Sequence, residues 1–356
     1  MNLESPETLY LPSRCPEMKR SVIILFSCFG LFASQEIAAQ RRTEIGLSLG
    51  AVNYIGDLAN ETFFPYSSLA GGAALTVRDF VGRPQNRYKA IDMQVRLSWH
   101  RLQYDETSAI GGKQGKELRN YLRGLGFRND LLGMETGVTY NIYLNRNQPL
   151  WKPTFSFFVS VGAGVFYGVP KADLFRGDIA IENRYHFWND GTVRDCAENT
   201  QGIGNIIQKD GKYETVLNDW NTEGQGYEKE IHQQPPYGNW HIGIPLGAGV
   251  RYVLNKQLTF SAELNYYYFF TDYLDDVSDR YATYEELRAA FPDDKTFELA
   301  KYISDPTGRG TNGYIGPVTS PRGNPSLKDA FTFVSVEAAY KFAWKKKGIY
   351  GQFTSR

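Results

Sequence analysis

The chain has few cysteines and histidines and carries no net charge. Each of these features argues against a class of function. Its 356 residues include three cysteines and four histidines. The 39 basic and 39 acidic residues cancel, so nothing in the charge balance suggests a nucleic acid partner. Beyond the amino terminus, no segment offers the roughly 18 consecutive apolar residues that a membrane-spanning helix needs. We see no internal repeat or linker that would divide the chain, which predicts a single domain.

The amino terminus has the pattern of a secretory signal peptide. Met18-Lys-Arg20 is basic, residues 21–34 are mostly apolar, and Ala38-Ala39-Gln40 supplies the small residues of a cleavage site. We predict a signal peptide over 18–39. Residues 1–17 are then interpreted as an upstream extension from a misassigned start codon.

Cleavage at this site would leave one cysteine in the exported protein. Cys28 lies within the apolar run and lacks the small-residue context of a lipoprotein signal, so no lipidation is expected. Cys196 would remain alone, and a single thiol cannot form an internal disulfide. The exported domain is therefore not expected to be stabilised by disulfides.

Eight segments of about ten residues alternate apolar with polar or small side chains. In Met93-Gln-Val-Arg-Leu-Ser-Trp99, for example, every second residue is apolar. Since strand side chains point alternately to two faces, each segment would have one apolar and one polar face. No long amphipathic helix or second set of strands is available to cover the apolar faces. The remaining solution is a closed barrel with lipid outside and polar side chains inside. The predicted strands cover 43–51, 70–77, 90–102, 132–143, 154–167, 240–253, 257–270 and 330–342.

The connections between these strands alternate in length. The short ones cover 78–89, 144–153 and 255–256, and the long ones cover 53–69, 103–130, 168–239 and 271–329. Outer-membrane barrels have short periplasmic turns and long extracellular loops. We therefore predict an all-β fold, an eight-stranded antiparallel transmembrane β-barrel that contacts the lipid bilayer of the outer membrane. The barrel would occupy 40–344, with large extracellular loops 168–239 and 271–329 and a basic periplasmic tail over 345–356.

The alternation also predicts which charged side chains point into the barrel. An eight-stranded barrel is only wide enough for side chains to fill it. We therefore expect the inward charges to pair into a plug rather than to line a pore. The predicted lumen network consists of Glu44, Arg78, Asp92, Arg96, Glu135, Arg251, Glu263, Glu337 and Lys341.

Two local patterns predict structure within the large loops. Residues 206–216 resemble a β-hairpin with Asp210-Gly211 at a type I′ turn. Thr283-Tyr-Glu-Glu286 is a capping box that predicts the start of a helix. Ordered extracellular loops of this kind could bind a partner or could pack only on themselves.

Residue types that carry chemistry are present, but not at a recognisable catalytic spacing. The histidines His100, His186, His232 and His241 are not placed against a nucleophile, so we expect no enzymatic activity. The acidic group Asp272, Asp275, Asp276 and Asp279 superficially resembles a calcium loop. It lacks the one-three-five spacing and the terminal Glu of an EF-hand, so we expect neither metal nor cofactor there, with a metal site as the weaker alternative.

Four short segments resemble the PorG-like outer-membrane barrels of the type IX secretion system of Bacteroidota. They are Tyr54-Ile-Gly-Asp57, Thr222-Glu-Gly-Gln-Gly226, Thr271-Asp-Tyr-Leu-Asp-Asp-Val-Ser278 and Arg322-Gly-Asn-Pro325. The family-like positions are Tyr54, Gly56, Asp57, Glu223, Gly224, Gly226, Asp272, Tyr273, Asp275, Asp276, Arg322, Gly323, Asn324 and Pro325. The resemblance implies a non-enzymatic barrel that anchors or stabilises a periplasmic ring of lipoprotein and partner subunits.

Two functional hypotheses remain open. One is the secretion-system anchor that the resemblance implies. The other is a general barrel, similar to OmpA or OmpX, that serves adhesion or membrane integrity. An enzymatic barrel is a distant third, and fold alone does not decide among them.

Overall fold

The computed structural model describes residues 42–58, 68–81, 89–108, 116–143, 154–226, 236–255, 257–310 and 321–343. The predicted upstream extension, signal peptide and basic tail lie outside these ranges, as does His232. Within the described residues, no helix is long and apolar enough to cross a bilayer.

Eight long strands form the framework of the molecule, and four strands of two residues lie in the loops. The long strands are β1 (Arg42–Ile55), β2 (Leu69–Val81), β3 (Lys89–Asp105), β4 (Gly126–Tyr143), β5 (Thr154–Tyr167), β10 (Trp240–Val253), β11 (Leu258–Phe269) and β12 (Ala330–Ala343). The short strands are β6 (Lys171–Ala172), β7 (His186–Phe187), β8 (Val193–Arg194) and β9 (Thr215–Val216). Each predicted strand corresponds to one long strand. The largest difference is at the start of β4, which begins six residues before the predicted bound, and β1, β2 and β3 end three or four residues beyond theirs.

The long strands pair in the order β3-β2-β1-β12-β11-β10-β5-β4, and β3 pairs with β4 to close the ring. All of these pairs are antiparallel, and the first and last strands run alongside each other from Arg42↔Ala343 to Ile55↔Ala330. Closure gives the backbone groups of the strands hydrogen-bonding partners within the protein, which hydrocarbon cannot supply. The predicted eight-stranded antiparallel transmembrane barrel is confirmed.

The outside of the barrel is apolar around its circumference. Large hydrophobic side chains stand exposed on every strand of the ring, among them Leu49, Leu75, Leu97, Val161, Leu264 and Val336. Aromatic pairs lie near strand ends, such as Tyr167 with Trp240 at 5.1 Å and Tyr340 with Phe342 at 4.8 Å between ring centroids. An apolar surface this continuous is covered by lipid in a membrane barrel, with aromatic side chains at the interfaces.

The four long connections leave the same end of the barrel, called the mouth below. The described parts of these connections form the cap: residues 56–58, 106–108, 116–125, 168–226, 236–239, 270–310 and 321–329. The cap contains three α-helices, α1 (Lys116–Arg123), α2 (Tyr284–Ala290) and α3 (Asp294–Ser304). One continuous hydrophobic cluster joins the cap to the barrel, since Leu174, Leu274 and Ile303 share it with Phe166 and Phe331 of the strands.

The two local predictions for the loops had different outcomes. The capping box at the start of α2 is present, because the Glu286 amide donates to Thr283 Oγ1 and the Thr283 amide donates to Glu286. The hairpin over 206–216 is wrong. Thr215 pairs with Ala172 of β6, and Ile206 bridges to Arg194, so each half of the segment joins a different part of the loop.

The register of β3 predicts that Leu97→Arg destabilises the membrane-inserted barrel. Leu97 lies at the centre of β3, and 51% of its side chain is exposed on the apolar exterior. An arginine at the bilayer midplane costs about 2–4 kcal/mol. Urea titration of the purified barrel refolded into phospholipid vesicles would measure the loss, and Leu97→Phe, which stays apolar, is the matched control. Equal stability of the two variants would show that Leu97 does not face lipid.

Candidate functional site

The structure places all nine predicted lumen charges inside the barrel. Eight are buried and Lys341 is half-buried near the short-turn end. Small residues on neighbouring strands make room for them. A Cβ on Gly46, for example, would lie 2.6 Å from the Glu337 carboxyl carbon, closer than atoms can approach.

The first group of lumen charges is centred on Arg78. Its two terminal nitrogens donate to the two oxygens of Glu337 at 2.6 and 2.7 Å, a paired arrangement that is among the strongest side-chain contacts. Arg78 also lies 3.4 Å from Glu44, which Lys341 approaches to 3.3 Å. Four side chains from the adjacent strands β12, β1 and β2 are therefore joined at the end of the barrel away from the cap.

A second group, centred on Arg251, also lies near the short-turn end, and a third, centred on Arg96, lies in the middle of the barrel. Arg251 donates to Asn141 at 2.7 Å and to Asp92 at 3.3 Å. Arg96 donates to both oxygens of Glu263, at 2.9 and 3.1 Å. Glu135 accepts hydrogen bonds from neutral partners instead, Ser98 at 2.6 Å and Tyr267 at 3.2 Å. These contacts give each of the nine lumen charges a partner among the described residues.

At the mouth, the structure brings together residues from all four family-like segments. Arg322 is only 2% exposed, and its guanidinium donates to Glu223 at 3.3 Å and to the Asp276 carboxylate at 3.1 Å. It also donates to the Asp276 carbonyl. Glu223 in turn accepts from the backbone amides of Ser278 at 2.8 Å and Asp279 at 3.1 Å. One arginine thus connects the second, third and fourth segments.

The first segment joins this network through Tyr54. The Tyr54 hydroxyl lies 2.6 Å from Asp275 Oδ2 and 2.8 Å from Asp329 Oδ1. Burial, together with the mutual repulsion of neighbouring carboxylates, raises the pKa of both aspartates well above the ordinary value. Because a phenol has a single proton, both contacts become hydrogen bonds when one carboxyl is protonated. A Cβ on Gly56 would overlap the Tyr54 hydroxyl, so only glycine fits beside this group.

Asp57 connects the first segment to the fourth. It accepts a hydrogen bond from the Asn324 amide at 2.8 Å, and a Cβ on Gly323 would overlap its carboxylate. Burial raises the pKa of Asp57 to about 6, although the Asn324 amide and Arg123 act in the opposite direction. Asn324 and Pro325 themselves are exposed at the surface.

A second arginine at the mouth, which is half-buried, was not identified from the sequence. Arg123, at the end of α1, donates to the Arg322 carbonyl at 2.6 Å and to the Asp57 carbonyl at 3.2 Å. It also pairs with Glu106, which is fully buried. Both lie in the connection 103–130, for which the sequence predicted only a long loop. No motif marks them, and only their isolated opposite charges next to strand ends could have suggested a pair.

The four acidic candidates for a metal site serve other purposes. Asp275 binds Tyr54, as described above. Asp272 accepts from Ser278 Oγ at 2.8 Å, and Asp276 accepts from Thr222 at 2.7 Å and from Tyr237. Within the described residues these carboxylates, with Asp279, do not form a group that could hold one ion. Asp279 lies 3.8 Å from Arg280.

The remaining family-like positions shape the loop backbone around this network. Gly224 and Gly226 have φ angles of +73° and +83°, which favour glycine. Tyr273 stacks on Tyr237 with ring centroids 4.4 Å apart, and this covers Asp276 from one side. The glycines and the stacked tyrosines therefore support the ionic groups instead of contributing charge.

The three histidines that the structure describes have separate surroundings. His100 packs against the rings of Tyr267, Phe331 and Phe333 at 4.7 to 5.0 Å between centroids. His241 is buried at the start of β10, and His186 is half-buried in β7. The surroundings of His100 are those of a core residue.

No family model matches the chain, and no curated protein does. Several solved structures are similar to it over most of its length. Ail, the attachment invasion locus protein of Yersinia pestis, is 8% identical with a TM-score of 0.30, over 85% of this chain and 100% of Ail. The Neisserial surface protein A is 9% identical with a TM-score of 0.28, over 86% and 100%. A major outer membrane protein of Thermus thermophilus is 12% identical with a TM-score of 0.27, over 84% and 99%. Similarity this weak carries no inference about function.

The lumen contacts predict unequal effects for two similar substitutions. Glu337→Gln removes the charge that holds Arg78, and breaking a buried ion pair costs about 3–5 kcal/mol. Glu135→Gln keeps an oxygen that can accept from Ser98 and Tyr267, so the cost should be near the ~1 kcal/mol of one hydrogen bond. The free energy of unfolding in urea, measured in vesicles, compares the two. A severe loss for Glu135→Gln would show that its charge is needed.

The mouth network predicts that Arg322→Met loosens the cap and leaves the barrel folded. The substitution leaves Glu223 and Asp276 buried without their cation, at a cost of about 3–5 kcal/mol. Hydrogen exchange at the Ser278 and Asp279 amides should rise, while the heat-modifiable electrophoretic mobility of the barrel is retained. The control is Arg288→Met, which breaks a surface pair with Asp294 that is worth less than about 1 kcal/mol. Unchanged exchange in Arg322→Met would contradict a central role for this arginine.

Proposed function

We propose that this protein is an outer-membrane barrel that acts as a membrane-anchored scaffold rather than as a channel. The observation that carries this proposal is the occupied lumen, in which Arg78, Arg96 and Arg251 are buried and paired with carboxylates. Barrels of eight strands hold side chains in place of a water-filled pore. The apolar exterior and the predicted signal peptide support the outer membrane as its location.

The cap makes the barrel a rigid support on one side of the membrane. Its ionic network and the hydrophobic cluster that it shares with the strands fasten the loops to the mouth. In this proposal, partners contact the exposed surfaces of the barrel and its cap.

The more specific proposal is a non-enzymatic subunit of the type IX protein secretion machinery. In that role the barrel would anchor or stabilise the periplasmic ring of lipoprotein and partner subunits. Its support is the resemblance to PorG-like barrels together with the way the four resembling segments contact one another at the mouth. Because the four segments contact one another, a change in one would disturb the others. In this proposal the four segments occur together for that reason.

A general barrel for adhesion or membrane integrity is the second candidate. One observation favours it: Ile203 and Ile206 are 67% and 65% exposed within an otherwise hydrogen-bonded part of the cap. Apolar side chains held on an ordered extracellular surface are suited to contact with another macromolecule. In this hypothesis the working surface is the cap and not the periplasmic side.

The test separates the two candidates by the side of the membrane on which partners bind. The tagged mature protein is purified from its own cells in mild detergent, and the proteins that follow it are identified by mass spectrometry. Two variants accompany it: a truncation that removes 345–356 and the double substitution Ile203→Ser with Ile206→Ser. Heat-modifiable mobility verifies that both are folded.

The secretion proposal predicts a stoichiometric periplasmic lipoprotein and ring partner in the wild-type sample. The cap variant should retain both, the truncation should recover several-fold less, and deletion of the gene should block cargo export. An isolated barrel, with export unchanged on deletion, would overturn it. Loss of cell-surface or matrix binding in the cap variant alone would support the adhesion candidate instead.

A further inference from the structure

A group of three carboxylates in the cap lies apart from the mouth network. Asp173, Asp210 and Glu214 each present an oxygen, and these three atoms all lie within 4.8 Å of one another. The group is assembled by the short β6–β9 pairing, in which Ala172 faces Thr215. Strand β6 is itself paired to barrel strand β4 through Lys171 and Arg128. The group therefore rests on an extension of the barrel wall.

Asp173 and Glu214 are the two less exposed carboxylates, and in each of them one oxygen accepts hydrogen bonds from the protein. Asp173 Oδ2 accepts from the Gly211 amide at 2.7 Å. Glu214 Oε1 accepts from the Leu174 and Phe175 amides, both at 2.9 Å, and from Thr215 Oγ1 at 2.9 Å. Such contacts orient a carboxylate in the manner of the outer-shell hydrogen bonds around metal ligands.

The other oxygen of each carboxylate has no hydrogen-bond donor among the described residues. Asp173 is 6% exposed, and its Oδ1 and the Oε2 of Glu214 are both buried and unpartnered. Burying a carboxylate oxygen without a partner costs free energy, because its hydrogen bonds to water are lost and no protein donor replaces them. Two such oxygens within one acidic group indicate a missing positive charge.

No neighbouring lysine among the described residues donates to the unpartnered oxygens of Asp173 and Glu214. Lys209 donates to Asp105 at 3.0 Å, and Lys212 is largely exposed, 3.5 Å from Asp210. Three carboxylates at this separation repel one another strongly unless a cation lies between them. Asp210, on the solvent side, accepts from the Gly177 and Lys212 amides and leaves an entry path from solution.

We propose that Asp173, Asp210 and Glu214 form a calcium site. Oxygen ligands suit a hard cation, and calcium binds carboxylates at about 2.3–2.6 Å. The three oxygens lie within 4.8 Å of one another, a span that one calcium ion can bridge. Magnesium keeps several waters and is usually bound through only one or two carboxylates, so a group of three favours calcium. The ion would fasten 171–175 to 210–216, and the second of these segments lies within the hairpin that the sequence had predicted over 206–216.

The first test measures binding to the full mature chain, refolded in detergent and stripped with a chelator. Terbium, a calcium substitute, should show luminescence sensitised by nearby Tyr185, whose hydroxyl accepts from the Asp210 amide at 2.8 Å. Calcium should displace it at a single site, and isothermal titration with calcium alone should saturate, with a Kd of roughly 10⁻³ M or tighter.

Three variants then assign the site. Asp173→Asn, Glu214→Gln and Asp210→Asn should each weaken calcium binding by roughly 10–100-fold or more, the range for losing even a supporting contact. Asp219→Asn, an exposed carboxylate of the same loop, is the control and should bind as the wild type does. Asp210 is exposed, so its variant tests the site even if the buried substitutions disturb folding.

A second readout follows the structure of the loop. Trypsin cleavage after Lys212, between two of the ligands, should be several-fold slower with calcium in the wild type and unchanged by calcium in Asp210→Asn. Absence of saturable binding up to about 10 mM calcium, above the range of extracellular sites, would overturn the proposal. Wild-type affinity in all three variants, or equal binding of magnesium, would overturn it as well.

Discussion

Every amide and carbonyl of a lipid-facing strand must find its partner within the protein, because hydrocarbon forms no hydrogen bonds. Here that constraint is met by closing eight strands into a ring, with β3 paired to β4 and β1 to β12. The packing of side chains inside the barrel follows from the number of strands in the ring. Eight strands enclose a space that only side chains can fill, and every second residue of each strand must enter it. Since these residues include buried arginines, carboxylates must stand opposite them.

In the cap, outside the membrane, arginines are also paired with carboxylates of the protein. Arg322 is buried and Arg123 half-buried among loops that have little regular structure, and each binds carboxylate as well as backbone carbonyl oxygens. A guanidinium offers five donors in a fixed plane, so one residue can satisfy polar groups of several chain segments at once. Loops held this way need few helices or strands of their own, and the cap has a stable arrangement despite its length.

The barrel could be predicted from the sequence because the alternation of apolar and polar residues along each strand is a local pattern. A period of two assigns each residue of β3 to lipid or lumen, and Leu97 and Arg96 lie on the predicted sides. The capping box at Thr283 is equally local. The cap could not be predicted, because its contacts join residues far apart in the chain. The pair Arg123 and Glu106 and the grouping of Asp173 with Glu214 depend on where whole loops come to rest. Asp210-Gly211 carries a turn signal, but tertiary pairing of Thr215 with Ala172 determined the outcome.

The pairing of β1 with β12 also sets the order of events during biogenesis. The two strands lie at opposite ends of the described chain, so their ladder is the least local contact of the fold and carries the largest loop-closure entropy. Until β12 arrives, the edges of β1 and β11 remain open and available to other chains. The ring therefore cannot be completed one hairpin at a time as the chain emerges, and a product that stops short of residue 330 is left with two unpaired edges.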